Sequence, residues 1–326
     1  MRAAQLTATG RASEVLRVAE MPMPEPGEGQ ILLEMLAATI NPADLNIIEG
    51  KYGEQPELPA IIGNEGVGRV VRVGPGVTEF VEGDLVLPMC FGTWCEYLVA
   101  DAEEAIRLPS VLDPFQAAML MINPTSAWAM LEQFVTLHHD DWLVQNAANS
   151  AVGRCVIQFA KQRGIKTLNV VRRAAVVEEL TALGADVVVT EDCDLRAEVE
   201  RLCGGSRPLL ALNAVGGASA LNLANALDDG GTLVTYGAMG RQPLKIPNGL
   251  LIFRRLTFTG FWLREWKRST PREEKQTTLF NLAELVIKGK LVQPIHQVFP
   301  LVELSAAVAE AGSESRSGKV LLDLRA

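Results

Sequence analysis

The sequence predicts an α/β protein: a doubly wound parallel sheet accompanied by a smaller β-rich module. Three observations predict it. Strand and helix patterns alternate from about residue 140 to 262, short strands broken by turn chemistry fill the region before that, and the tail returns to β-type runs. The 326-residue chain is also long enough for two domains, and its hydrophobic (48%) and charged (21%) fractions supply two ordinary cores.

The N-terminal region carries turn signals at residues 22–27 (PMPEPG), 74–76 (GPG) and 82–84 (EGD), with β-type runs such as Ile31 to Leu36 and Gly68 to Val73 between them. From Asp141 the period changes. Residues 141–145 read as a buried strand, 152–163 as a helix closed by Gly164, and 166–171 as the next strand. A helix ending at Gly184, a strand over 186–190, a helix to Cys203, a strand over 209–213, a helix to Leu227 and a strand over 231–236 complete the series. Parallel strands joined by helices need right-handed crossovers, which makes residues 119–262 a nucleotide-binding domain between residues 1–118 and a returning segment, 263–326. In that last segment residues 271–288 read as a helix, and 295–299 and 319–324 as strands.

Several functions are excluded early. A net charge of −9 disfavours nucleic acid or an anionic membrane as the main partner. The five cysteines form no C-x-x-C pair and their number is odd, which argues against a disulfide framework or a thiolate zinc site. With no apolar N-terminal segment and no membrane-length run, the expectation is a soluble protein without a presequence in a reducing, cytoplasmic setting.

Two features point to a dinucleotide. The turn NAANSAVG at 146–153 follows the first strand of the nucleotide-binding domain, where a glycine-rich turn would set a pyrophosphate on a helix N-terminus. Only Gly153 is glycine there, and Asn149 and Ser150 read either as phosphate contacts or as plain helix caps. At the end of the second strand, where an NAD site carries Asp or Glu for the ribose hydroxyl, Arg172 and Arg173 stand instead. Guanidinium groups take a phosphate that a carboxylate would repel, so the pair favours NADPH; a solvated turn is the alternative.

Several segments resemble the trans-2-enoyl thioester reductases, the mitochondrial-type enoyl-CoA/ACP reductases of the zinc-independent medium-chain dehydrogenase/reductase superfamily. They are NPADLN (41–46), EGKYG (49–53), GNEG (63–66), QNAANSAVG (145–153), LALNAVGG (210–217), GTLVTYG (231–237), LLIF (250–253) and GFWL (260–263). Related quinone reductases share the Asn-Pro-x-Asp element, but have a glycine-rich phosphate turn and lack Phe-Trp-Leu. The resemblance implies a Rossmann domain beside a GroES-like catalytic domain, and NADPH-dependent reduction of an enoyl thioester by a homodimer. Where the zinc alcohol dehydrogenases carry Cys and His ligands this chain has Pro42 and Asn64; with three histidines and no ligand-spaced cysteines, no metal site is expected. His138 and His139 read as an exposed turn.

Hydride addition to the β-carbon leaves an enolate that needs a proton at the α-carbon, and a phenol protonated at neutral pH can supply it. The resemblance assigns that role to Tyr52. It implies cofactor contacts from Asn123, Asn149, Ser150, Ala151, Val152, Arg172, Arg173, Tyr236, Gly237, Ala238, Met239, Phe261, Trp262, Leu263 and Lys319. Two residues depart from the family pattern: Arg264 stands where a small hydroxyl residue follows Phe-Trp-Leu, and Ala174 where a third basic residue can occur. Arg264, Lys267 and Arg268 form a basic stretch suited to CoA phosphates or an acidic carrier, or a solvated helix face. Two other readings remain: a quinone or alkenal reductase, and a non-catalytic NADPH-binding structural or regulatory protein.

Overall fold

In the computed structural model, which describes residues 1–313 and 316–326, the chain forms two units: residues 1–122 with 270–326, and residues 123–269. The sequence reading divided the chain at 118/119 and 262/263. The second division differs because the helix Leu263–Ser269 buries Trp266 and packs on the helix Asn123–Gln133, which keeps it with the nucleotide-binding unit.

The first unit is built from β1 (Arg2–Leu6), β2 (Leu16–Glu20), β3 (Gln30–Thr39), β4 (Ala60–Ile61), β5 (Gly66–Val73), β6 (Leu85–Leu87), β7 (Tyr97–Asp101) and β8 (Ile106–Leu108). Among the described residues these make a three-stranded sheet, β2-β1-β4, and most of a seven-stranded one. In the larger sheet β3 is the hub, pairing antiparallel with both β5 and β7. Its residues Ile31, Leu33 and Met35 pack in one cluster with Ala4, Leu6, Trp94 and Val320, and Leu32, Leu36 and Ala37 are buried too, as expected of a central strand covered on both faces. The helix Pro42–Ile48 leaves this sheet from an Asn41/Asp44 capping box, with Pro42 in the first turn, where a missing N–H costs nothing.

The second unit holds β9 (Trp142–Gln145), β10 (Lys166–Val171), β11 (Val187–Thr190), β12 (Leu210–Asn213), β13 (Thr232–Thr235) and β14 (Thr257–Gly260). They form one parallel sheet in the order β11-β10-β9-β12-β13-β14. Leu168, Ala211 and Leu233 pack with Val199 and Leu223 on one side, while Val171 packs with Ala148, Ile157 and Leu180 in a separate cluster. Helices on both faces of a parallel sheet, with the strand order reversing between β9 and β12, put the ligand crevice at the carboxyl ends of those strands. The chain then returns to the first unit, where β15 (Ile295–Pro300) lies beside β16 (Lys319–Asp323) and β16 pairs with β3. No helix is long and apolar enough to cross a membrane among the described residues.

Candidate active site

The nucleotide turn is built tightly. Ser150 caps the helix Ala151–Arg163, its Oγ accepting from Gly153 N at 3.1 Å, so this residue is a true helix cap. The first N–H groups of that helix are left to face an anion. A Cβ on Gly153 would meet Ala148 O at 2.6 Å, which explains why this position alone in the turn is glycine. Ala147 sits at a φ of 47°, a left-handed conformation that costs a non-glycine residue about 1 kcal/mol. Asn149 faces the same turn and its carbonyl is held by Arg154 Nε at 3.0 Å, while Arg154 pairs with Glu179 at 2.6 Å.

Arg172 and Arg173 are exposed at the carboxyl end of β10, next to β9 and its turn. Tyr236, Gly237, Ala238 and Met239 follow β13, and Phe261, Trp262 and Leu263 follow β14, so the parallel sheet brings these segments and Ala151 and Val152 to one edge. Gly237 approaches its neighbour closely: a Cβ there would lie 3.0 Å from Ala214 O. The Tyr236 hydroxyl is buried without a partner in hydrogen-bonding geometry. Burial pushes that phenol well above the usual tyrosine range; the Ser150 hydroxyl beside it acts in the opposite sense. Tight backbone turns, a helix N-terminus, a buried phenol and an exposed guanidinium pair together suit a phosphorylated dinucleotide.

Phe261 is buried edge-to-face with Phe134, at 6.4 Å between ring centroids, whereas Trp262 is exposed and carries the Arg264 guanidinium 5.7 Å from its ring centre. Arg268 pairs with Glu265 at 3.1 Å, so part of the basic stretch is already neutralised on its own helix. Asn123 is buried at the start of the helix Asn123–Gln133. His138 and His139 lie on an exposed turn, His139 beside Asp140 at 2.8 Å.

The first unit contributes a different kind of site. Tyr52 lies partly buried in the loop after the helix Pro42–Ile48, packed on the unit's core. Below that helix sits a cluster that sequence reasoning missed, save for Lys319. Glu65 accepts from Thr39 Oγ1 at 2.6 Å, Asn41 Nδ2 at 2.9 Å and Ile122 N at 2.7 Å. Asp44 accepts from Asn41 N at 2.7 Å, Asn64 N at 3.0 Å and Asn64 Nδ2 at 2.7 Å. Lys319, read from the sequence as a cofactor contact, is buried here and donates to Ile40 O and Asn41 Oδ1. Burial raises Asp44 to about 6, against its hydrogen bonds from Asn41 and Asn64 and the pull of the Lys319 charge. Glu65 is raised for the same reason. The signal that could have found the cluster was polar residues set against apolar runs, NPAD at 41–44 after AATI and NE at 64–65 after AIIG.

Comparison with known proteins agrees with this arrangement. Residues 27–110 match the alcohol dehydrogenase GroES-like domain and residues 151–283 the zinc-binding dehydrogenase domain. The frog (Xenopus tropicalis) mitochondrial enoyl-[acyl-carrier-protein] reductase is 40% identical over 323 residues, covering 96% of this chain and 92% of the frog protein. The chain belongs to the enoyl thioester reductase family of the medium-chain dehydrogenases/reductases. The family places the GroES-like domain on the first unit and the Rossmann domain on the second. Among solved structures, the mitochondrial 2-enoyl thioester reductase heterodimer from Candida tropicalis superposes with a TM-score of 0.90 at 30% identity, covering 99% of each chain. The complex of Etr1p with NADP and crotonyl-CoA does so with a TM-score of 0.89, also at 30% identity and 99% of each chain. These names correct the cytoplasmic placement expected from the sequence, since both the frog and the Candida relatives are mitochondrial. Cysteine usage reports a reducing environment, and more than one compartment of a cell is reducing, so that argument could not separate them.

Proposed function

We propose that this protein is an NADPH-dependent oxidoreductase that reduces the carbon–carbon double bond of trans-2-enoyl thioesters, and that it works as a homodimer. The observation that carries the cofactor half of the reading is the guanidinium pair Arg172 and Arg173 at the carboxyl end of β10. A planar fork of N–H donors matches a 2′-phosphate, and no carboxylate occupies those two positions to reject it. The substrate half rests on the similarity to enoyl reductases over most of the chain.

Bound NADPH supplies the hydride. Arg172 and Arg173 would hold its adenosine phosphate, and the N–H groups at the start of the helix Ala151–Arg163 its pyrophosphate. The buried Tyr236 phenol lies beside the Ser150 hydroxyl at the same turn. The Tyr52 hydroxyl delivers its proton to the α-carbon once the β-carbon has been reduced, so charge does not persist on the thioester. The buried cluster of Asn41, Asp44, Glu65 and Lys319 anchors the helix that leads into the Tyr52 loop and so limits where that hydroxyl can point.

Support for self-association comes from the second unit, where β14 ends the sheet with exposed positions and the preceding helix leaves Leu251, Ile252 and Phe253 exposed, Phe253 by 81%. An open strand edge beside an apolar surface is a pairing surface for an identical copy. Sedimentation should give a mass near twice 35.3 kDa, and a concentration-independent monomer would reject the dimer.

The activity is tested by following NADPH absorbance with crotonyl-CoA, with a quinone, and with no acceptor. Oxidation that depends on crotonyl-CoA is expected. Oxidation with the quinone alone would replace the thioester reading by a quinone reductase, and tight binding without turnover on any acceptor would make the protein a non-catalytic binder.

A further inference from the structure

We infer that a buried ladder of side-chain amides across four neighbouring strands of the second unit holds the dinucleotide loops in register, with Asn146 and Asn213 as its positioning residues. The inference rests on the NADPH reading above and adds residues that neither the helix-terminus nor the guanidinium argument uses.

The ladder starts on β10. Asn169 Oδ1 accepts from Gln145 Nε2 at 2.8 Å, and the same Nε2 donates to Gly153 O at 3.0 Å, so the last residue of β9 grips the first turn of the phosphate-binding helix. Asn146 follows: its Oδ1 accepts from Ala214 N at 2.7 Å, and its Nδ2 donates to Asn213 Oδ1 at 2.8 Å and to Ser219 Oγ at 3.0 Å. Asn213, at the end of β12, also accepts from Val215 N at 3.2 Å and Gly216 N at 3.0 Å, and donates to Thr235 Oγ1 on β13 at 3.1 Å. The loop it shapes is joined to the loop after β13 by Met239 N to Ala214 O and Gly240 N to Val215 O, each 2.9 Å. The rungs therefore touch, in order, the strand that ends in the guanidinium pair, the phosphate turn, and the loop that follows Tyr236.

Gln145, Asn146, Asn169 and Asn213 are at most 1% exposed. Four amides in the middle of a parallel sheet are costly to bury unless paired, and aliphatic residues of similar size are the usual occupants of such strands. For Asn146 and Asn213 the loop after β12 explains their presence. The N–H groups of Ala214, Val215 and Gly216 point inward to the oxygens of Asn146 and Asn213, and the chain then turns through Gly216 and Gly217 at positive φ values of 89° and 52°. Those N–H groups fix the direction of the clasp. Ala214 N requires the Asn146 oxygen, so the Asn146 NH2 must face Asn213; Val215 and Gly216 require the Asn213 oxygen to face back.

A directional clasp makes the two asparagines unequal toward aspartate. At 213 a carboxylate keeps the oxygen that receives three donors, and its second oxygen meets the Thr235 hydroxyl, which rotates to donate. At 146 the second oxygen would face the Asn213 oxygen at 2.8 Å, acceptor against acceptor. The experiment measures NADPH affinity by fluorescence quenching, steady-state kcat and KM, and Tm for Asn213→Asp and Asn146→Asp, all well below the lower Tm. Asn146→Asp should weaken NADPH binding by about tenfold or more and Asn213→Asp by about threefold or less, with kcat at saturating NADPH changing little in either. If Asn146→Asp does not fold, Asn146→Ser shortens the clasp without adding charge and should still weaken NADPH binding by about fivefold or more. Equal affinities for the two aspartate variants, or a fall in Tm with unchanged NADPH affinity, would reduce the ladder to a folding element and overturn the inference. Failure of the wild-type protein to bind NADPH would instead remove the functional reading on which it rests.

Discussion

The two units solve the same problem, holding loops in place at a polar site, with opposite chemistry. In the second unit the buried network is neutral: amides, a threonine and a serine hydroxyl, with its charges, Arg172 and Arg173, left outside in water. In the first unit the network is ionic: two carboxylates and one ammonium share the buried space under the helix Pro42–Ile48. A neutral network gives the same geometry at every physiological pH, which suits a site that must bind its cofactor repeatedly. An ionic one ties its geometry to protonation, because burial makes each uncompensated charge expensive. The comparison teaches that the loops of the second unit are organised by polarity of backbone and amides, and the helix ahead of Tyr52 in the first unit by charge.

The sharpest way to break that division is to remove the acid while leaving the cofactor site alone. Tyr52→Phe should lower kcat with crotonyl-CoA by about 100-fold or more while NADPH affinity stays at the wild-type value. A wild-type kcat would remove Tyr52 from the chemistry and with it the assignment of proton delivery to the first unit.

Next in size is the outer charge of the second unit. Replacing Arg172 and Arg173 by Ala should raise KM for NADPH by about tenfold or more and leave KM for NADH within about twofold. Parallel changes for the two cofactors would mean that the pair is a solvated turn.

The smallest effect concerns the ionic network itself. Asp44 in the folded protein is raised from 3.8 to about 6, so the folded state holds this proton more tightly than the unfolded chain does. Its protonated form favours folding: that contribution is complete below about pH 3.8 and is lost as pH rises through about 6. Asp44→Asn, which cannot ionise, should therefore gain Tm relative to wild type as pH is raised across that window, by a few degrees. A Tm difference that is flat with pH would show that Asp44 does not titrate there. The same scan on Asn146→Ser should be flat, since no member of the amide ladder titrates in that range.

Much of this architecture was open to sequence reasoning, and particular residues show why. The strand–helix alternation from Trp142 to Gly260 is a local signal, set by the period of apolar side chains, and it located the sheet and the ends of its strands. Arg172 and Arg173 were readable because a parallel doubly wound sheet fixes where the residues after its second strand must lie. Asn146 and Asn213 stood in plain view within distinctive strings, yet nothing local pairs residues so far apart along the chain. The bonds of Lys319 to Ile40 and Asn41 were not readable, because they arise from β16 lying beside β3, which brings the side chain under the helix that follows Asn41.

The sequence by itself determined the class of fold, the edge of the parallel sheet at which its loops gather and the place of the guanidinium pair on that edge, since each follows from periodicity and from the order of single side chains along the chain. Only the tertiary structure decided which buried polar groups answer one another: the direction of the Asn146–Asn213 clasp, the sharing of Asn41 between Glu65 and Lys319, and the raised proton affinity of Asp44. Those are properties of long-range juxtaposition and of exclusion from water, and both come into being only when strands distant in sequence are packed side by side.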